Sequence, residues 1–572
     1  MNDKDTNFDL VLDEIGEFGR YQQTNFLLLS LPVIFAAANS LSYVFTAGSP
    51  NYRCLVPECE NVEKPVYDEP WVHHAVPGTT VSGIFQPEQC LRFAIGTTSN
   101  GSSNECPAEW FSDEQVRCNE WVFDPNERTI VNDWKITCSE NLWRLALIGT
   151  LHFSGIVVGS GLFGFLADKY GRRLIFIFCI LFMSVTGIGQ ALSKDYITFS
   201  VFAFFNAVGT SGVYPLAFII GVEMVGARKR EMSGVVLNYF YAVGEAMVGA
   251  IAWLCTDWVT VQYAVAAPPL IFALYYWIIP ESIRWLLARG ETAKAAKIIK
   301  KAAKVNGITL SDSIVKNFSL HVPSNANGHV NDECKGIDTV ELEKQKLKYE
   351  VWNNVKQMLR SRKMILRCVF LFYIWATNAF VFYGLSLNSQ NLSGNKYLNF
   401  ILVCLIEIPG LTLAWIAMNK LGRRFSLSGS LLICGITCVC GAFVTAVEKD
   451  LHWLLILLFL TGKMGITASF TIVYVHTAEM LPTIIRSGGV GTMSTVARVG
   501  ALLAPFVPLL DSFYKPLPLL LFGSVSFVGG ILAILLPETL GEKLPDTVEE
   551  AERLGEKRDD NIAMIGVSSV AS

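Results

Sequence analysis

The chain has 572 residues, of which 52% are hydrophobic and only 17% are charged. This share of charged side chains is too small to cover the apolar ones in a single soluble globule, so the composition predicts a protein that crosses a membrane several times. The formal net charge of −4 is close to neutral for this length and argues against a nucleic-acid partner.

Apolar runs of spanning length fall into two sets of six. Residues 1–24 lack the basic region of a signal peptide, so the first run is expected to remain as a membrane helix. The predicted spans are 25–45, 144–167, 174–192, 196–220, 232–254 and 258–279 in the first half, and 364–386, 397–418, 426–447, 452–475, 488–510 and 516–536 in the second half.

A polar loop, residues 46–142, follows the first span and holds six of the fourteen cysteines. An even set of cysteines in one loop suggests three disulfides in an oxidising compartment, although six cysteines allow 15 pairings. No tight Cys-x2-Cys pair is present, so a zinc site is the weaker interpretation. The sequon at Asn100 predicts glycosylation on the same, exoplasmic side. The six cysteines are Cys54, Cys59, Cys90, Cys106, Cys118 and Cys138.

The distribution of basic residues predicts the orientation. The segment 280–363 carries sixteen Lys or Arg, and its lysines recur at helical spacing between Lys294 and Lys304, which predicts a cytoplasmic helical domain. The short loops near Lys169, Arg228, Lys420 and Arg486 are also basic, whereas the alternate loops carry about one Lys each. By the positive-inside rule, the basic loops and both termini are cytoplasmic and the cysteine loop lies outside, at the plasma membrane.

Three motifs repeat in order between the two halves. Asp168-Lys-x-Gly-Arg-Arg173 returns as Asn419-Lys-x-Gly-Arg-Arg424, at an offset of 419 − 168 = 251. Glu223-Met-x5-Arg230 returns as Glu479-Met-x5-Arg486 at 479 − 223 = 256, and Pro280-Glu-Ser returns as Pro537-Glu-Thr at 537 − 280 = 257. One basic loop alone would be only a topology signal, but three repeats in register imply duplicated bundles that alternate access by rocking.

The predicted fold is therefore an all-α membrane protein with 12 transmembrane helices in two pseudo-symmetric six-helix bundles. The expected domains are an N-terminal bundle over 1–279, a cytoplasmic linker domain over 280–363, a C-terminal bundle over 364–536 and a cytoplasmic tail over 537–572.

The repeated motifs place acids and fixed cations at cytoplasmic helix ends, where we expect them to act as a gate. Ion pairs between the bundles, for example among Glu223, Arg230, Glu479 and Arg486, are expected to hold that side shut while the outside is open. The candidate gating residues are Asp168, Arg172, Arg173, Glu223, Arg230, Glu281, Arg284, Arg423, Arg424, Glu479 and Arg486.

Several ionisable residues lie inside the predicted spans. A charge at the centre of a membrane helix costs roughly 2.5–3.5 kcal/mol for Arg, so such residues are functional candidates by default. Arg498 is the leading candidate for binding substrate, and the alternative is a structural partner of Glu407 or Glu245. Glu407 either faces a substrate cation or pairs with Lys463 or Arg498. Further ionisable residues in the spans are His152 and His476.

The motif set resembles the organic cation, organic anion and carnitine transporter family of the major facilitator superfamily. The likeness covers nearly the whole chain and is carried by the Asp168 turn, Pro280-Glu-Ser-Ile-Arg-Trp-Leu286, Gly462-Lys-Met-Gly-Ile466, the Pro537-Glu-Thr-Leu-Gly541 segment and the six-cysteine loop. Asn419 departs from the family pattern, in which an acid is expected. Family position further implies substrate-binding roles for aromatic residues, which are Phe372, Tyr373, Trp375, Tyr383 and Tyr474.

The resemblance also implies a substrate class. Members with an arginine followed by a small residue in span eleven carry anions or carnitine, and Arg498-Val-Gly500 matches that type. We therefore expect a secondary transporter of small organic ions, with zwitterions such as carnitine, a betaine or a β-amino acid first, organic anions or cations as alternatives, and a non-transporting receptor less favoured. No enzyme motif, metal site or cofactor is predicted, and the coupling ion, Na⁺ or H⁺ if there is one, is left open.

Overall fold

A computed structural model of the protein describes residues 11–12, 14–81, 84–96, 106–226, 229–309, 349–392, 394–447 and 451–555. Twelve helices in these residues are long and apolar enough to cross a membrane, which confirms the predicted number of spans. Spans 1 to 12 are Arg20–Thr46, Leu142–Tyr170, Arg172–Ala191, Tyr196–Glu223, Met232–Leu254, Trp258–Ile278, Arg362–Asn391, Lys396–Leu421, Arg423–Ala446, His452–Met480, Arg486–Ser512 and Leu517–Ile534.

The chain divides into two compact units. Unit 1 contains the described residues up to 309 together with Ser389–Leu405 and Pro505–Phe513, and unit 2 contains the other described residues from 349 onward. The segment Ser389–Leu405, which ends span 7 and begins span 8, and the final part of span 11 are thus grouped with spans 1 to 6, whereas the rest of these three spans is grouped with the C-terminal spans. A division of the chain at the linker alone would instead place Ser389–Leu405 and Pro505–Phe513 in the C-terminal unit.

The two units repeat the same packing of helices. In unit 1, span 1 packs on span 5, span 4 packs on both span 2 and span 3, and span 3 packs on span 6. In unit 2, span 7 packs on span 11, span 10 packs on both span 8 and span 9, and span 9 packs on span 12. Each neighbouring pair thus recurs six spans later, as the sequence repeats predict.

Two spans of the second half are interrupted. Span 8 consists of the helices Lys396–Leu405 and Glu407–Leu421, which are separated at Ile406, and Pro409 lies in the first turn of the second helix. Span 11 continues from the helix Arg486–Leu503 into a 3₁₀ segment, Ala504–Ser512, that contains Pro505 and Pro508. Both interruptions coincide with boundaries between the two units.

The cysteine loop forms a small domain of three two-stranded antiparallel sheets. The disulfides Cys54–Cys118, Cys59–Cys106 and Cys90–Cys138 confirm the prediction of three bridges. Arg53 is fully buried and pairs with Glu60 at 2.8 Å beneath the ring of Trp71. Asn100 lies outside the described residues. The paired strands are β1 Tyr52–Cys54 with β6 Trp121–Phe123, β2 Gly78–Val81 with β3 Ile84–Pro87, and β4 Leu91–Ile95 with β5 Phe111–Arg117.

Short helices complete the described residues. The linker contains the helix Ile283–Ala288 and an amphipathic helix, Thr292–Asn306, which we call the linker helix. The apolar face of the linker helix shares a buried cluster with Val11, Leu12 and Ile15 from the N-terminal segment. Other short helices are Val72–Ala75, Ile130–Trp134 and Val548–Arg553, and residues 349–358 are helical.

Candidate functional site

The first motif repeat builds an ionic cluster in unit 1. Arg172, the first residue of span 3, forms an ion pair with Glu223 at the end of span 4. Glu281 accepts hydrogen bonds at 3.0 Å from the backbone N–H groups of Arg172 and Arg173, and the Ser282 hydroxyl donates to Glu223. Three separated parts of the sequence therefore meet at one point, which we call the first ionic cluster.

The second motif repeat builds the matching cluster in unit 2. Arg423 donates to both carboxylate oxygens of Glu479, at 3.0 Å from Nη2 and 3.1 Å from Nε. Glu538 accepts from the backbone N–H groups of Arg423 and Arg424 at 2.8 and 3.1 Å, and the Thr539 hydroxyl donates to Glu479 at 2.5 Å. We call this set the second ionic cluster, and its groups correspond one by one to those of the first.

A glycine makes each cluster possible. Gly171 and Gly422 precede the two arginines and adopt φ angles of +107° and +88°, which L side chains rarely adopt. A Cβ at Gly171 would lie 2.7 Å from Glu281 Oε2, and one at Gly422 would lie 2.5 Å from Glu538 Oε2. The glycine of the repeated turn therefore lets a carboxylate reach the N-terminus of the following helix, where a negative charge is stabilised.

The pKa of Glu538 reports how strongly its carboxylate is held. Burial by itself raises the pKa of this group, but hydrogen bonds from four backbone N–H donors, with the largest effects coming from Leu540 and Arg423, together outweigh burial and lower the pKa below its ordinary value. The ionised form of Glu538 is therefore the one that the second ionic cluster stabilises.

The ion pairs form inside each unit, whereas the sequence led us to expect pairs between the bundles. Glu223 pairs with Arg172, and Glu479 pairs with Arg423. Asp168 lies 3.8 Å from Arg172, and its counterpart Asn419 cannot form an ion pair, yet Arg423 still holds Glu479 and also donates to the Met418 carbonyl at 3.1 Å. The departure at Asn419 therefore leaves the second ionic cluster intact.

The other predicted gating residues lie around the two clusters. The Arg173 guanidinium donates to the Tyr276 carbonyl at 3.2 Å, and the guanidinium of Arg424 lies over the ring of Phe425. Arg486 donates to the Thr483 hydroxyl at 3.3 Å and to the Pro545 carbonyl at 3.4 Å, so it contacts the C-terminal segment. Arg230 begins the helix of span 5, and Arg284 lies in the short helix Ile283–Ala288.

A buried ion pair joins spans 8 and 10 of unit 2. Lys463 Nζ lies 2.9 Å from Glu407 Oε1, and their side chains are 0% and 5% exposed. The ammonium also donates to the Ser386 hydroxyl at 2.8 Å and lies 3.4 Å from the centroid of the Phe382 ring. Of the two interpretations of Glu407, the structure supports pairing with Lys463, because a carboxylate neutralised in this way has little charge left to offer a substrate.

An aromatic cluster extends from this ion pair. The Phe382 ring contacts Phe470 with centroids 5.7 Å apart, and Phe470 contacts both Trp375 and Tyr474. Trp375 is fully buried, its indole N–H donates to Thr477 at 2.9 Å, and its ring lies 4.3 Å from that of Tyr474. Tyr474 is 38% exposed, so its ring is accessible, whereas the Trp375 ring that packs against it is fully buried.

Arg498 lies one helical turn after Ser494, which contacts this aromatic cluster. The Tyr474 hydroxyl and the Ser494 hydroxyl are 3.3 Å apart, and Arg498 follows Ser494 by four residues, so both lie on one face of the span 11 helix. Gly500 packs so closely on span 7 that an added Cβ would be 2.2 Å from the Ala376 carbonyl. Arg498 is partly buried, and among the described residues none forms an ion pair or hydrogen bond with its guanidinium.

Two of the predicted aromatic ligands differ in position. Tyr373 donates its hydroxyl to the Val525 carbonyl at 3.1 Å, so it faces span 12 and lies away from the Trp375–Tyr474 cluster. Residues two apart on a helix point in nearly opposite directions, so Tyr373 and Trp375 lie on different faces of span 7, and a substrate contact of Tyr373 stays a prediction. Tyr383 packs edge-on against Phe382, at the Lys463 end of the cluster.

The sequence prediction did not select Lys463, Phe382, Phe470 or Ser494 as site residues. Lys463, Phe470 and Tyr474 recur at intervals of seven and four residues along span 10, which places them on one helix face. That spacing was a usable signal. Phe382 and Ser494 were not distinguishable from the other residues of spans 7 and 11, because their roles depend on contacts with span 10.

Comparisons with known proteins agree with this architecture. The family model described as Major Facilitator Superfamily matches residues 129–505. The Organic cation transporter protein of Drosophila melanogaster is 33% identical over 552 residues, covering 96% of this chain and 95% of that protein. Organic cation/carnitine transporter 2 of Homo sapiens is 32% identical over 556 residues, covering 96% and 94% of the two chains.

Solved structures are similar in fold. The xylose transporter XylE from E. coli, in a partially occluded inward open conformation, has a TM-score of 0.55 and is 16% identical, covering 72% of this chain and 92% of that chain. At this level of identity the likeness shows a shared fold and carries no information about substrate.

Neutralising one member of the Lys463–Glu407 pair should prevent folding, whereas neutralising both should restore it. Glu407→Gln leaves a buried ammonium without its carboxylate, which costs about 3–5 kcal/mol. We expect little Glu407→Gln protein at the cell surface and near-normal amounts of the double variant Glu407→Gln/Lys463→Gln, measured by surface biotinylation.

The control is an exposed ion pair. Arg117 and Glu140 form a pair whose side chains are 60% and 64% exposed, so Glu140→Gln should change stability by at most about 1 kcal/mol. Normal surface levels of Glu407→Gln combined with loss of uptake would contradict the structural role and make Glu407 a substrate ligand.

Proposed function

The chain belongs to the organic cation, organic anion and carnitine transporter family of the major facilitator superfamily, and we propose that this secondary transporter moves small organic ions whose carboxylate is held by Arg498. The proposal rests on the guanidinium of Arg498. This group is partly buried within a membrane span and has no ionic partner among the described residues. A charge in that position requires neutralisation, and a substrate carboxylate would provide it through two parallel hydrogen bonds.

One of the two alternative partners of Arg498 is already paired with another residue. Glu407 is one of the two acids that the sequence offered as structural partners, and it is held by Lys463 at 2.9 Å. Its ammonium partner is itself fully buried and has further bonds to Ser386 and Phe382, so this pair is complete by itself. These contacts support different roles for the two cations: Lys463 neutralises Glu407, and Arg498 binds the carboxylate of the substrate.

The cationic end of a zwitterion would be recognised by aromatic rings. The face of an aromatic ring attracts an ammonium group by roughly 0.5–2 kcal/mol, and Tyr474 is the accessible ring nearest to the Arg498 face of span 11. One helical turn, about 6 Å, separates Ser494 from Arg498. We propose substrates that carry a carboxylate and a cationic group a few bonds apart, as in carnitine, a betaine or a β-amino acid.

Organic cations are the second candidate class of substrate. Both of the relatives compared above carry organic cation in their names, and the aromatic cluster around Tyr474 would serve a cation without any help from Arg498. Uptake of carboxylate-bearing substrates should depend on the Arg498 guanidinium, whereas uptake of organic cations should not.

We further propose that the two ionic clusters act as a gate during alternating access. In each cluster an arginine and two glutamates join the ends of two spans to the segment that leaves the sixth span of that half, so breaking the cluster would free those ends to move. Their side chains are less than a fifth exposed, which makes their ion pairs stronger than ordinary surface pairs.

The proposed orientation has the linker helix and both ionic clusters in the cytoplasm, the cysteine domain outside and the protein at the plasma membrane. The excess of basic residues on one side and the three disulfides on the other support it independently.

Labelling of exposed lysines in intact cells tests the orientation. A membrane-impermeant amine reagent should modify Lys64 and Lys515 in intact cells, and Lys297 and Lys301 only after permeabilisation, as read by peptide mass spectrometry. All four side chains are exposed, so the accessibility of each to the reagent depends on the side of the membrane. Modification of Lys301 in sealed cells would overturn the proposed orientation.

Arg498→Ala should lower the affinity for carboxylate substrates by about one to two decades, since a hydrogen bond to a charged group contributes roughly 1.5–3 kcal/mol. Arg498→Lys should restore only part of it, because lysine keeps the charge and loses the planar pair of donors. The measurement is uptake of a radiolabelled cation, anion and zwitterion, normalised to surface protein, with sodium and pH varied.

Two substitutions at Tyr474 test the role of its aromatic ring in the same uptake assay. Tyr474→Phe retains the ring and should retain zwitterion uptake, whereas Tyr474→Leu should weaken uptake of zwitterions and cations but leave simple carboxylates unchanged. Carboxylate uptake that persists in Arg498→Ala at normal surface level would refute the substrate-binding role, and cation uptake insensitive to Arg498 would favour the second candidate.

Glu479→Gln should slow alternation more than it weakens substrate binding, because the second ionic cluster is separate from the Arg498 region. We expect a several-fold lower maximal uptake rate with a nearly unchanged KM, and the same direction for Asp168→Asn. The control is Glu542→Gln, an equal charge change on an exposed side chain close to the cluster in sequence. An altered KM at an unchanged maximal rate would show that the gating role is wrong.

A further inference from the structure

The linker helix presents two opposite faces. Its buried residues Ala295, Ile299 and Ala302 recur at intervals of four and three and pack on the N-terminal segment and the helix Ile283–Ala288. At 100° per residue, the lysines fall on the other side of the helix. These exposed lysines are Lys294, Lys297, Lys300, Lys301 and Lys304.

These five lysines form what we call the lysine face, and it carries only positive charge. The helix from Thr292 to Asn306 contains five lysines and no acid. Lys294 pairs with Glu291, just before the helix, whereas the other four lysines have no ionic partner among the residues that the structure describes. Like charges three and four residues apart destabilise a helix, so this arrangement carries a cost that a bound anionic surface would offset.

The helix is attached near both ends to the ends of membrane spans. At its C-terminal end, Asn306 accepts a hydrogen bond at 2.9 Å from the backbone N–H of Tyr21, in the first turn of span 1. Before its N-terminal end, the Trp285 indole donates at 2.9 Å to the Asp168 carbonyl near the end of span 2, and Arg289 donates to the Lys169 carbonyl. These hydrogen bonds place the linker helix next to the ends of spans 1 and 2.

From these observations we propose that the lysine face of the linker helix binds the headgroups of anionic phospholipids. Lysine supplies point charges without the planar geometry that selects a particular carboxylate or phosphate, which suits a diffuse anionic surface better than a specific acidic peptide. Polybasic segments next to membrane spans are attracted to anionic lipid within a Debye length, roughly 8 Å at physiological salt. The proposal concerns a site separate from the substrate region, and it relies on the proposed orientation only for which leaflet supplies the lipid.

The test measures lipid retention by the full-length protein, so it does not depend on transport. The purified protein is mixed with phosphatidylserine or phosphatidylcholine in detergent micelles, and bound lipid is counted by native mass spectrometry. In the variant Lys297→Gln/Lys300→Gln/Lys301→Gln/Lys304→Gln, phosphatidylserine retention should fall by at least about tenfold and by up to about 600-fold, since each of the four lysines contributes up to roughly fivefold near an anionic surface. Phosphatidylcholine retention should not change.

Two control variants test whether a loss of phosphatidylserine retention is specific to the linker helix and to its positive charge. Lys64→Gln/Lys135→Gln/Lys194→Gln/Lys515→Gln removes the same charge from exposed positions away from the linker helix and should retain phosphatidylserine normally. Replacing the four helix lysines by arginine keeps the charge and should also retain it. Raised salt should weaken retention by the wild-type protein.

The outcomes separate lipid from other partners and from the transport proposal. Equal phosphatidylserine retention by wild type and the helix variant would overturn the proposal. Unchanged retention together with a loss of binding to soluble polyglutamate would also overturn it, and would assign the face to an acidic protein. Uptake assays on Arg498 variants fail or succeed independently, because none of these lysines belongs to the substrate region.

Discussion

A charge inside a membrane span must be neutralised, and this constraint organises the candidate site of the protein. Lys463 and Glu407 satisfy it with each other, because both side chains are almost completely buried and an unpaired ion at that depth would be very costly. Arg498, on a neighbouring span, has no such partner among the described residues. Binding of a carboxylate is the way in which a transporter could turn that unmet requirement into affinity for its cargo.

The same electrostatic solution appears twice at the helix ends. In both units a glutamate accepts from the backbone N–H groups that begin a span, and a second glutamate pairs with the arginine of that turn. The positive φ of Gly171 and Gly422 makes room for the carboxylate in each case. Duplication has preserved the backbone hydrogen bonds and the arginine–glutamate pair, while the acid at Asp168 has become Asn419 without loss of the cluster.

Charge is used differently at increasing distance from the membrane centre. Lys463 and Glu407, deep in unit 2, are paired with each other, and at the helix ends Arg423 and Glu479 are paired beside backbone hydrogen bonds. On the linker helix, four of the five lysines have no ionic partner among the described residues. This gradient follows the dielectric, since a solvated lysine costs little and a buried one requires a counter-ion. The proposed lipid contact would place these cations of the linker helix beside a surface that carries the opposite charge.

The sequence by itself determined the twelve spans, the duplicated halves and the presence of three disulfides, because hydropathy, motif spacing and cysteine count are local or arithmetic properties. Only the tertiary structure decided which of 15 disulfide pairings forms, that Glu407 pairs with Lys463, that Glu223 and Glu479 pair within their own units and that Tyr373 faces span 12. Those choices depend on the rotation of each helix about its axis and on the identity of its neighbours. Several rotations bury the apolar residues of a membrane span equally well, and packing between helices selects one of them.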